Sequence, residues 1–131
     1  MAPGLRLEPV PGDYAVCRLG AGTAPPADPG SAALFSVTRT AEEVSVVCAL
    51  GDAPGGARIE GPFGALRVAG ALPFALTGVL ASLASPLADA GVSAFAVSTF
   101  DTDYLLVPRE QLAAAIAALT AAGHEIVGSD S

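Results

Sequence analysis

The chain has 131 residues, 52% hydrophobic and only 15% charged, a make-up that calls for a packed core of one domain or two very small ones and not for disorder. A formal net charge of −7, with no basic cluster to offset it, argues against nucleic acid and anionic membrane surfaces as partners. All six basic residues are arginine and the single histidine is His124, so a Schiff-base lysine, a phosphate-loop lysine and a metal site with two histidines from one chain are all excluded. No cofactor and no metal is expected.

In chain order, Leu5 to Val10 alternates and is closed by Pro11-Gly12. Tyr14 to Leu19 reads as a strand with Ala15, Cys17 and Leu19 on one face. Gly20 to Ser31 is rich in Gly, Pro and Ala and reads as a loop. Leu34 to Thr38 and Val44 to Ala49 are strands joined by a hairpin-like connection carrying Arg39, Glu42 and Glu43, an exposed charge cluster of little energetic weight. Cys17 and Cys48 lie inside the alternating runs and read as small buried hydrophobes. Two cysteines and no basic-then-apolar leader fit a reducing cytoplasm. Gly51 to Gly61 is loop-like, and Leu66 to Ala69 is a strand.

Val68 to Ala88 is uncharged and long enough to span a bilayer. Leu76, Val79, Leu80, Leu83 and Leu87 recur at helical spacing with small residues opposite. Two prolines interrupt the run, so it is read as a buried helix of a soluble protein, at about residues 76–90, bent or split at Pro86 and stopped by Gly91. Val92 to Thr99 and Tyr104 to Val107 are strands. Pro108 opens a second helix at about 109–122, with Leu112, Ala115, Ile116, Leu119 and Ala122 as its apolar stripe. Gly123 ends it, and His124 to Val127 is a last strand, with His124 expected at the surface. From Leu66 onward the order is βαββαβ, the ferredoxin-like arrangement. The first half supplies strands without a convincing long helix and reads as a degenerate copy. The fold class is therefore α+β, with antiparallel sheets and helices on one face, divided at 1–61 and 62–131.

The connection Ser98-Thr99-Phe100-Asp101-Thr102-Asp103-Tyr104 carries two aspartates, two threonines and two aromatics, more than a tight turn needs. Together with Pro73 to Leu80 at the start of the first helix it suggests a polar pocket suited to a small zwitterion. Gly78 lets a ligand approach the backbone, where helix-start amides favour a carboxylate, and Asp103 can accept from an ammonium group. Bland readings stand beside these. Asp101 suits turn chemistry, Asp103 suits either role, Gly78 equally permits close helix–sheet packing, and Thr99 is an ordinary strand residue. An acid/base pair of Asp101 and Asp103 has the spacing but no nucleophile beside it.

Leu72 to Leu80 and Ser98 to Val107 resemble the ACT-domain family. The nearest likeness is to the tandem-ACT group that includes the CASTOR-type arginine sensors and small bacterial ACT proteins; the regulatory modules of aspartate kinases are similar. Phe35 to Thr40 with Glu43 to Cys48 resembles the N-terminal half of the same bacterial proteins. The resemblance implies two ACT modules, binding of an amino acid or similar ligand, and assembly into a homodimer or higher oligomer. Carried onto this chain, it points to Thr77, Gly78, Val79, Thr99, Phe100 and Asp103 as ligand-binding, with no catalytic residue. Two other classes stay open: an interaction protein with this fold and no ligand, and a small enzyme using Asp101 or Asp103.

Overall fold

A computed structural model describes residues 4–70 and 77–128. The order is β1 (Arg6–Gly20), β2 (Ser36–Arg39), β3 (Glu43–Ala49), β4 (Arg58–Val68), α1 (Val79–Asp89), β5 (Phe95–Ser98), β6 (Asp103–Pro108), α2 (Leu112–Ala121) and β7 (Glu125–Ile126), with single 3-10 turns at Leu50–Asp52 and Arg109–Gln111. The fold is α+β, with a ferredoxin-like arrangement in which antiparallel strand pairs dominate. The chain forms two compact units, one of Met1–Val10 with Gly64–Ser131 and one of Pro11–Phe63. The long strands β1 and β4 contribute to both.

In the C-terminal unit the strand order is β7-β1-β4-β6-β5. β5 and β6 form the antiparallel hairpin from Phe95↔Leu106 to Ser98↔Asp103. β7 pairs with β1 in parallel, Arg6↔Glu125 and Leu7↔Ile126, so the N-terminal segment lies between the last strand and β4, an exception to the all-antiparallel expectation. Inward positions at period 2 on the strands (Leu66 and Val68, Leu105 and Val107) meet Val79, Leu83 and Leu87 of α1 and Ala115 and Leu119 of α2 in one buried cluster. Both helices stop as expected. Gly91 and Gly123 take positive φ, and Val92 N–H donates to Leu87 O while His124 N–H donates to Leu119 O, the pattern of a glycine-terminated helix whose last carbonyls find amides beyond the end.

The N-terminal unit has strand order β2-β3-β1-β4. β1 and β3 pair from Tyr14↔Ala49 to Gly20↔Glu43, and β2 pairs with β3 from Ser36↔Val47 to Arg39↔Val44. Its core is small: Ala15, Cys17, Val44, Val46 and Cys48, with Leu19, Phe35, Val37, Ala53 and Ala57 packed at the margin. Both thiols are free and buried, as the sequence pattern predicts.

Several boundaries differ from expectation. Pro11-Gly12 does not close a strand, since β1 runs through it to Gly20; Gly12 takes φ +99° inside the strand. β4 begins at Arg58, well before the expected Leu66, in a stretch whose Gly61-Pro62 reads as a turn in isolation. Pro86 sits within α1 without dividing it. The expected helix start at Leu76 and the Pro73 to Leu76 part of the motif lie outside the described residues. No helix among the described residues is long and apolar enough to cross a membrane.

Candidate functional site

Of the two segments picked out from the sequence, the hairpin is tied to the end of β4. The hairpin between β5 and β6 is closed by a compact set of bonds. Thr99 N–H donates to Thr102 O at 2.8 Å, Thr99 Oγ1 donates to the same carbonyl at 3.0 Å, and Thr102 N–H donates to Thr99 Oγ1 at 3.2 Å. Thr102 itself is buried, and its hydroxyl donates to Val68 O at 2.8 Å, which pins the turn to the last residue of β4. The side chain of Val68 packs in the same cluster as Val79, the first residue of α1. Val68 thus anchors the hairpin through its carbonyl.

At the helix start, Gly78 is the N-cap of α1 with φ +82° and ψ 0°, and no side chain caps the helix. An added Cβ would meet nothing within 4 Å, so packing is not what selects glycine here; the left-handed backbone is. The carbonyl of Gly78 accepts from Ser82 N–H at 2.9 Å. Thr77 and Gly78 are exposed, whereas the side chain of Val79 is buried, so Val79 can offer a ligand only its backbone.

On the hairpin, Phe100 is 79% exposed and Asp101 is exposed. Asp103 is half-buried at the first position of β6, opposite Ser98. The Thr99 hydroxyl is engaged as donor and acceptor within the turn, so it shapes the hairpin and has little capacity left for a ligand. Sequence reasoning passed over Thr102, the residue that holds this turn. A threonine in the turn just before a strand gives no sign of burial; only the approach of β4 decides it.

His124 corrects another expectation. It is not at the surface but 6% exposed, with both ring nitrogens bonded. Leu5 N–H donates to Nδ1 at 3.0 Å, and Nε2–H donates to Ser82 O at 2.9 Å. In the N-terminal unit burial pushes the Cys17 thiol up and the Cys48 thiol up to about 12, Cys17 beside it adding to the shift, so neither is poised as a nucleophile. Among the described residues no group of three or more His, Cys, Asp or Glu side chains could hold a metal ion.

The ACT-domain family matches residues 58–121, and a family of N-terminal domains matches residues 12–55. A crystal structure of a protein from Agrobacterium tumefaciens is 36% identical, with a TM-score of 0.88, covering 96% of this chain and 94% of that one. The chain belongs to the ACT-domain family. Two more distant structures share the ACT fold. One is a protein of unknown function from Vibrio cholerae, at 21% identity and a TM-score of 0.69, covering 92% of this chain and 91% of that one. The other is the regulatory subunit of aspartate kinase from Thermus flavus, at 14% identity and a TM-score of 0.60, covering 92% of this chain and 97% of that one. No curated protein matches the chain. The ACT match spans α1, the β5–β6 hairpin and α2, the elements that carry the candidate site.

Proposed function

We propose that this ACT-domain protein is a non-catalytic regulatory sensor, in which two modules, the first degenerate, answer an amino acid through self-association in the cytoplasm. The ligand lies between Thr77-Gly78-Val79 and the Thr99 to Asp103 hairpin. The observation that carries the reading is the start of α1. An uncapped, left-handed Gly78 leaves helix-start amides open to a carboxylate, with the hairpin pinned to the strand that leads into that helix. Asp103 is the group that takes the ammonium, Phe100 covers the aliphatic part, and Thr99 keeps the turn in shape. The Thermus flavus likeness supports a regulatory role of this kind.

A thermal-shift screen with the common amino acids, followed by calorimetry on the best one, tests the reading. A ligand at a hundred times its Kd adds about 2.7 kcal/mol of stability. Asp103→Asn removes the charge and keeps the shape, and is expected to weaken binding about tenfold or more. Gly78→Asn keeps a residue that tolerates the left-handed backbone but sets a side chain over the amides, and is expected to weaken binding as well. A bound amino acid whose affinity ignores both changes would place the site elsewhere.

A further inference from the structure

Pro86 lies inside α1 and has no N–H, so the carbonyl four residues before it, Ser82 O, has no helical donor. That carbonyl is the one that accepts from His124 Nε2–H at 2.9 Å. The imidazole replaces the amide hydrogen that proline removes. It is well placed to do so. His124 N–H is bonded to Leu119 O just past the glycine that ends α2, and Nδ1 accepts from Leu5 N–H at 3.0 Å. The ring therefore joins α1 to the junction of α2, β7 and the N-terminal segment, and both bonds require the neutral Nε2–H tautomer.

We propose that His124 is a positioning residue for α1, and through it for the Gly78–Val79 start of that helix, which deepens the ligand reading above and rests on it for its functional meaning. The bonded chain is continuous: His124 Nε2–H to Ser82 O, Ser82 N–H to Gly78 O at 2.9 Å, and Ser82 Oγ to Val79 O at 2.8 Å.

A double-mutant cycle on the full chain tests this without any ligand. His124→Leu leaves Ser82 O and Leu5 N–H without the partners they have in the fold, and should raise the unfolding constant about tenfold or more. Pro86→Ala returns an amide to Ser82 O, so His124→Leu should cost at least about threefold less in that background. His124→Gln keeps a donor at the Nε2 position and should retain part of the stability that His124→Leu loses. The protection of the Ser82 amide, the bond to Gly78, against hydrogen exchange should fall in His124→Leu and recover in part in His124→Gln. Additive costs for the Pro86 and His124 changes, or a His124→Gln variant no more stable than His124→Leu, overturn the proposal. Should His124→Leu fail to fold, His124→Gln with and without Pro86→Ala decides it. A failed amino-acid screen sinks the ligand reading and leaves this coupling standing; an additive cycle does the reverse.

Discussion

In the C-terminal unit, Leu83, Leu87 and Leu119 are fully buried against Leu66, Leu105 and Val107, and two helices supply the cover. In the N-terminal unit the corresponding inward positions are Ala15, Cys17, Val44, Val46 and Cys48, and among the described residues the longest helical piece is the three-residue turn at Leu50–Asp52. Large leucines need a wall of side chains opposite them, and a helix supplies one; Ala, Val and Cys leave a shallow surface that loop residues such as Phe35, Ala53 and Ala57 can close. The cost of the shallow solution is a lack of helix ends. Among the described residues both α-helices lie in the C-terminal unit, which is where the proposed ligand site is placed; the N-terminal unit keeps a sheet without one.

Three experiments press on this contrast. The largest effect is expected at Leu83, which is fully buried on the inner face of α1; Leu83→Ala should cost about 2–5 kcal/mol in urea unfolding. A loss well below that range would mean that the helices are dispensable cover in this unit too. Next is Thr102→Val, which keeps volume and deletes the hydroxyl bound to Val68 O. It should cost about 1–3 kcal/mol and speed amide exchange at Thr99, since a buried carbonyl loses its donor. An unchanged Thr99 amide would show that the turn stands without its anchor.

The smallest effect belongs to the N-terminal unit and reads its core through pH. The Cys48 thiol, ordinarily at 9.0, is pushed up to about 12 in the fold by burial, so the unfolded thiol ionises first. Its stabilising contribution is complete below pH 9.0 and is lost as pH rises toward 12. Cys17 is shifted in the same direction, so Cys48→Ala should reduce the alkaline slope and leave part of it. Denaturant titrations across the alkaline range check this; a slope equal to the wild type's would mean that Cys48 opens to solvent.

The short-range patterns of this chain were readable without its structure. Alternation over Val44 to Ala49, the apolar run to Val107, helical spacing through Leu83 and Leu87, and the glycines that end both helices each depend on neighbours a few residues away. The burial of Cys17 and Cys48 followed from the same alternation, and the ACT likeness from the hairpin and helix-start motifs. Tertiary contact decided the rest. β1 continues through Pro11-Gly12 and β4 starts at Arg58 because long-range pairing outweighs the local turn preference of Gly and Pro. Residues 4–10 join the C-terminal unit because Arg6 O accepts from Ala69 N–H at 2.8 Å and Leu5 O from Glu125 N–H at 2.9 Å, partners more than sixty residues away. α1 runs unbroken through Pro86, and His124 is buried, for one shared reason. The carbonyl left bare by the proline and the imidazole that fills its place are 42 positions apart in the chain, and only the fold brings them to hydrogen-bonding distance.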